Sequence, residues 1–403
     1  MRSAWSVRLG GRIDEGQAAM PSQESYRDAL LRVINEVVAP GAASVDASGE
    51  FPRAQVDALG AAGLLGLTVP AEYGGGGAGP REAAEVAREL GAACASTAMI
   101  VTMHYAATAA LVAAGHKETL TAIAAGTHLS TLAFSETGSR SYFWVPLSTA
   151  AVDGDGINGA AVVRLDASKS WVTSAGHADS YVWSSRPVAA EGLMTLWLVP
   201  ASADGLTVAG SFDGLGLRGN SSAPLSAAGV RVPQTDMLGE DGAGLDLAMA
   251  AVLPYFLICS AAMSAGLIRR LAEETAAHLQ RTRYAHLDQS LAQQERPRAQ
   301  LARLRIEADR TWAHVTTALD AVEAGREDAQ LLVLEVKAAA GEAAAEAADL
   351  ALRAGGGSAY RKESPVERLF RDSRAARVMA PTTDHLHDFV GRALLGLPLL
   401  GEV

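Results

Sequence analysis

The chain of 403 residues is 49% apolar and 20% charged, enough to bury substantial cores, and this excludes a disordered protein. Its 34 basic residues face 45 acidic ones, a formal charge of -11, so nothing electrostatic draws it to nucleic acid or anionic lipid, and a small-molecule substrate is expected. The only cysteines, Cys94 and Cys259, lie in apolar Ala-rich stretches and read as buried reduced thiols, which fits a cytoplasmic protein.

Residues 1–22 carry arginines but no continuous apolar run, and are expected to be a flexible tail. Residues 23–128 are expected to form a helical domain. Apolar residues recur three and four apart at Tyr26, Leu30, Val33, Ile34 and Val37, and Pro40-Gly41, Phe51-Pro52 and the run Gly74 to Gly77 divide the segment into four to six helices. Its most apolar stretch, 95–115, is interrupted by Ser96, Thr97, Thr102, His104, Tyr105 and Thr108, which suits a helix buried in protein and gives no membrane span.

Residues 129–239 change texture to short β-rich runs at 130–134, 181–184 and 194–199, punctuated by Asp-Gly and Asn-Gly turns, and predict a small β-barrel or sandwich. Helical periodicity returns in residues 240–403, over 248–282, 296–323, 329–355 and 365–378. The alanine content there lets helix backbones approach closely, as in a four-helix bundle. The whole is an α+β chain in the order α–β–α.

Common catalytic templates are missing: there is no Gly-Lys-Ser/Thr phosphate loop, His-Glu-x-x-His helix, Cys-x-x-Cys pair or Gly-x-Ser-x-Gly elbow. The hexapeptide from Gly214 to Gly219 fits a dinucleotide fingerprint, but Asn220-Ser221-Ser222-Ala223-Pro224 follows where a helix should start, so it is read as a decoy.

Five other segments occur in a telling order. They are Val69-Pro70-Ala71-Glu72-Tyr73-Gly74-Gly75, Phe134 to Ser141, Ser170-Trp171-Val172-Thr173-Ser174, Leu238-Gly239-Glu240-Asp241-Gly242-Ala243-Gly244, and Gly356-Gly357 followed by Pro365 to Asp372. Together they resemble the acyl-CoA dehydrogenase family over nearly the whole chain. The resemblance implies that family's fold and FAD, with FMN an alternative. It assigns Ser135, Glu136, Ser139 and Ser141 to the flavin and its pyrophosphate, Trp171 and Thr173 to the isoalloxazine ring, and Thr382 to a further cofactor contact. It also implies that Gly356 and Gly357, with Arg353 before them, serve the flavin of a neighbouring subunit, and hence a homo-oligomer, a tetramer or a dimer.

The resemblance breaks at the catalytic base. Removing hydride from an acyl thioester requires a group that takes the α-proton. Where most of the family has a carboxylate, this chain has Ala380, and where a smaller group has one, it has Tyr255 or Phe256; the nearest preceding acid is Asp246, more than two helical turns away. Arg281-Thr282-Arg283-Tyr284 only faintly echoes the family's arginine turn onto a neighbour's flavin.

These losses resemble the family's monooxygenase branch, which takes reduced flavin from a separate reductase and uses oxygen. The favoured expectation is therefore a two-component flavin-dependent monooxygenase acting on a small or carrier-tethered substrate, with His104, on an apolar helix, as the catalytic candidate. Two alternatives stand beside it: an acyl-CoA or acyl-carrier dehydrogenase with an unconventional base, and a non-catalytic subunit of a hetero-oligomeric flavoenzyme.

Overall fold

A computed structural model describes residues 25–157 and 160–400; the expected tail at 1–22 and the Asn158-Gly159 turn lie outside the described residues. The N-terminal part holds α1 (Tyr26–Val33), α2 (Ala39–Ser48), α3 (Arg53–Ala61), α4 (Pro80–Ala93), α5 (Ala95–Ala114) and α6 (Lys117–Ala124). Local chemistry sets their ends. Ser25 caps α1 by accepting the Asp28 N–H at 3.2 Å, Glu82 reaches back to the Gly79 N–H at 2.9 Å before α4, and left-handed Gly49 and Gly115 close α2 and α5. The apolar helix α5 is buried along most of its length inside the fold, as its interrupting polar residues suggest.

The middle part contains two four-stranded sheets. One joins β1 (Ser130–Ala133), β4 (Ser180–Ser185), β5 (Thr195–Pro200) and β8 (Met237–Leu238) in the order β1-β4-β5-β8, with β1 and β4 parallel. The other joins β2 (Thr149–Ile157), β3 (Ala160–Val172), β6 (Leu206–Val208) and β7 (Ala223–Pro233) in the antiparallel order β2-β3-β7-β6. In β7, Ala223, Leu225, Ala227, Val230 and Val232 turn into the core while their neighbours face outward, the period of a half-buried strand.

The C-terminal bundle is built from α8 (Leu253–Arg281), α9 (Glu295–Glu323), α10 (Ala329–Ala359) and α13 (Thr383–Leu394), entered through α7 (Gly244–Leu247) and a π-helical turn at Ala248–Val252. The region expected as one helix over 365–378 is two, α11 (Pro365–Asp372) and α12 (Ala375–Val378), and the expected stop at Gly355 is a break at Gly356 (φ 55°, ψ -145°) within α10. The bundle extends into the N-terminal part, because α4 packs on α8 with backbones nearly touching: a Cβ on Gly91 would sit 2.5 Å from the Met263 carbonyl, and one on Gly266 would collide with that of Arg88.

The decoy hexapeptide belongs to a knot joining all three parts. Leu217 N–H donates to Asp372 Oδ1 at 2.7 Å, and Arg371 donates to the Leu215 carbonyl at 3.1 Å, to both oxygens of Asp46 in α2 at 2.8 and 2.6 Å, and to Glu367 at 2.8 Å. Its glycines are there for close approach, since a Cβ on Gly216 would lie 2.5 Å from the Arg371 carbonyl. Burial pushes the Asp372 carboxyl up to about 6.

Candidate active site

The three parts converge on an open, mostly apolar cavity. The N-terminal part supplies Met103 from α5; the middle part supplies Leu132, Phe134, Ser135, Phe143, Ser170 and Trp171; the C-terminal part supplies Ala248, Val252, Leu253, Phe256, Ala380 and Pro381. No side chain in this lining ionises near neutrality. Of the positions where a base was sought, Ala380 and Phe256 face this one space, whereas Tyr255 does not line it and Asp246 is exposed and outside it.

The middle wall hangs on a buried ion pair. Ser170 N–H donates to the Ser135 carbonyl at 2.9 Å, while Thr137 N–H donates to the Ser168 carbonyl at 3.0 Å, joining the 134–137 strand end to β3. Glu136 and Lys169 form a bridge across this junction with their side chains turned inward: Lys169 Nζ lies 2.6 Å from Glu136 Oε1 and also donates to the Ser184 carbonyl and hydroxyl at 2.7 and 2.9 Å. Glu136 further accepts the N–H groups of Leu147 and Ser148 and the Ser148 hydroxyl. Burial pulls the Lys169 ammonium down to about 8, against the attraction of Glu136. By alternation alone Trp171, two residues on, would turn inward with Lys169, but the register shifts between Lys169 and Val172 and its side chain turns outward. Its ring is 69% exposed at the cavity, edge-on to Phe212 with centroids 6.5 Å apart, and its φ of 56° is a left-handed value that a tryptophan rarely adopts.

The C-terminal wall hangs on a different device. Lys337 of α10 is 1% exposed, and its Nζ donates to the carbonyls of Ala376, Met379 and Pro381 at 3.0, 3.1 and 2.8 Å. It also lies 5.8 Å from the ring centre of Phe256. Among the described residues no carboxylate pairs with it, and burial pulls its pKa down to about 7.

Of the residues expected from sequence, Ser135 and Trp171 line the cavity. Thr173 is buried nearby, its hydroxyl 3.2 Å from that of Ser222. Ser139 donates to the Glu136 carbonyl at 3.0 Å, Ser141 is left-handed at φ 73°, and Thr382 caps α13 by accepting the His385 N–H at 3.3 Å. Glu136 is spoken for by Lys169 and Ser148, leaving its carboxylate none of the freedom a flavin contact needs. Arg353, Gly356 and Gly357 are exposed on α10 and absent from the cavity lining, and nothing stands within 4 Å of where a Cβ on either glycine would sit.

His104 is corrected from catalytic candidate to core residue. It is fully buried, its Nε2 lies 3.0 Å from the Leu65 carbonyl, and its Nδ1 accepts the Ser130 N–H at 3.1 Å, so the neutral ring staples α5 to β1. Burial pulls its pKa down to about 4, and its neighbour Met103 takes the cavity face.

The lining suits a flavin ring: aromatic and apolar on its faces, with Ser135 and Ser170 at one edge. Two buried hydroxyls without partners, Ser174 Oγ and Thr383 Oγ1, lie one or two residues along the chain from Thr173 and Pro381. Sequence reasoning missed Lys169 and Lys337. A signal for Lys337 existed, because it sits on the same helical face as Val333, Gly341 and Ala344, all buried.

Three family models match the chain in order: "Acyl-CoA dehydrogenase, N-terminal domain" over residues 20–125, "middle domain" over 131–230 and "C-terminal domain" over 242–395. The human mitochondrial short-chain specific acyl-CoA dehydrogenase is 31% identical over 357 residues, covering 86% of this chain and 83% of that protein. Among solved structures, butyryl-CoA dehydrogenase from Megasphaera elsdenii superposes with a TM-score of 0.84 at 21% identity, covering 94% of this chain and all of the other. FkbI, described for biosynthesis of the methoxymalonyl extender unit of the Fk520 polyketide immunosuppressant, has a TM-score of 0.77 at 26% identity, over 93% of this chain and all of that one.

Proposed function

The chain belongs to the acyl-CoA dehydrogenase family of FAD-dependent oxidoreductases, and from that premise we propose that it is a two-component monooxygenase acting on a small or carrier-tethered substrate. The observation carrying this reading is the absence of an ionisable group from the cavity lining. A wall of Phe256 and Ala380 has nothing with which to take an α-proton, but it excludes water and charge from a reactive centre. When bound, FAD reduced by a separate reductase supplies the electrons for oxygen chemistry. The chain's own contribution would be placement: Trp171 would flank the ring, Ser135 and Ser170 would hold its edge, and Met103, Phe143, Val252 and Leu253 would give it an apolar bed.

Mixing the protein with chemically reduced FAD and air tests this. The oxidised-flavin absorbance should return more slowly than for free reduced FAD, and butyryl- or octanoyl-CoA should not bleach the FAD-loaded protein. Robust bleaching by either thioester would overturn the reading.

The second reading, oxidation of an acyl-CoA or carrier-bound acyl group, is favoured by the names of the relatives. Ala380→Glu separates the two. It restores a carboxylate to the wall, so a dehydrogenase pocket would gain acyl-CoA oxidation, whereas the oxygenase reading expects none and expects faster flavin reoxidation from the buried charge.

The assembly belongs to the same proposal. A homo-oligomer, tetramer or dimer, is supported by the open surface at Gly356-Gly357 and by exposed Tyr360, Val378, Leu394 and Leu395 at 78, 71, 69 and 76%. Sedimentation of an active monomer would exclude it.

A further inference from the structure

We infer that Lys337 is a positioning residue: its three N–H donors fix the 376–381 segment and thereby set where Ala380 and Pro381 stand in the cavity wall. This rests on the cavity being the flavin site.

Arg377 pairs with Glu342 of α10 at 2.8 Å and the Met379 N–H donates to the Ala375 carbonyl at 3.1 Å, but neither contact reaches Ala380 or Pro381. The segment leaves α12 at Val378 and enters α13 at Thr383, and between them Met379, Ala380 and Pro381 lie in neither helix. The carbonyls of Met379 and Pro381 point away from the cavity toward Lys337, and Ala376, in α12, presents a third. One ammonium satisfies all three, and a lysine has no more donors than that. Carbonyls turned inward fix the peptide planes, and the planes fix which face of Ala380 and Pro381 looks into the cavity. The same nitrogen lies 5.8 Å from the ring centre of Phe256, so one side chain stands behind the two cavity-lining residues among those where a catalytic carboxylate was sought, Ala380 and Phe256.

Lys337 is not placed to donate a proton to substrate. It does not line the cavity, and its hydrogens are committed to backbone oxygen.

The test uses Ala380→Cys on the full chain, since native Cys94 and Cys259 are buried. Iodoacetamide alkylation of the introduced thiol is timed with and without saturating FAD, beside a Ser135→Cys control on the opposite wall. With Lys337 intact, FAD should slow alkylation at both positions about tenfold. Adding Lys337→Met should cut the protection at position 380 to about twofold or less while leaving that at 135, as expected for a local opening. Should the methionine variant fail to fold, Lys337→Gln, with two N–H donors, should give intermediate protection at 380.

Equal protection at 380 with and without Lys337 would overturn the proposal, and so would equal loss at both walls, which is general loosening. Absence of FAD protection in the protein with Lys337 intact would sink the flavin-site reading instead.

Discussion

The cavity has two walls, each backed by a buried lysine, and the lysines are satisfied in opposite ways. Behind the middle wall, Lys169 faces a carboxylate, and Glu136 in turn gathers two backbone N–H groups and a hydroxyl. Behind the C-terminal wall, Lys337 faces only carbonyl dipoles. A buried pair is rigid but brittle, because deleting one partner strands a full charge in a medium that solvates it poorly. A lysine held by carbonyls strands no charge if it gives up its proton, and the neutral amine still donates two hydrogens, at the cost of one of its three carbonyl contacts. The middle wall is therefore built to depend on composition, and the C-terminal wall to respond to conditions.

Three changes sharpen or break this contrast. The largest effect is expected from Glu136→Ala, which leaves Lys169 buried and unpaired; urea unfolding should show a loss of about 3–5 kcal/mol. The double variant Glu136→Gln/Lys169→Met, which removes both charges yet keeps an acceptor for the Leu147 and Ser148 N–H groups, should recover part of the loss, and a double variant as damaged as Glu136→Ala would refute the pairing argument.

Next comes the pH dependence of the other wall. The pKa of Lys337, about 7 when folded, lies below the 10.5 of a free lysine, so between those values the unfolded chain binds more protons and the group's contribution to stability rises with pH. The stability of the protein relative to Lys337→Met should therefore climb by roughly 2–3 kcal/mol between pH 7 and 9. A flat difference across that window would mean that the carbonyls keep Lys337 charged throughout.

The smallest effect on stability belongs to Trp171, which leans on the middle wall from the solvent side. Trp171→Ala should change unfolding by no more than about 0.5 kcal/mol yet weaken FAD binding about tenfold, read by flavin fluorescence titration. Unchanged affinity would remove this indole from the flavin contact.

Much of this architecture was legible before any coordinates. Helical and alternating periodicities gave the order of parts, and motif order pointed to Trp171 and Ser135, which both fall in the cavity lining. What escaped was directional. Glu136 sits in the right motif, but strand alternation turns it inward, and the residue that claims it lies 33 positions away on another strand. His104 has the chemistry of a catalyst and the address of a core residue; one position along the helix separates it from the cavity-facing Met103. Lys337 hides in an alanine run, where a lone lysine usually faces water. The fingerprint-like glycines were rightly rejected, but their true duty, admitting the Arg371 backbone, depends on a segment some 150 residues downstream.

The knot around Arg371 has a consequence for how the chain is made. Asp46 leaves the ribosome 325 residues before the arginine that pairs with it. At roughly 5–20 residues per second, the N-terminal helices wait on the order of half a minute with that carboxylate unclaimed and the docking surface for Leu215 and Leu217 unfinished. The last fifth of the chain is what locks the first, so a nascent chain stalled before Arg371 presents an open seam, the kind of surface on which chaperones act and aggregates begin.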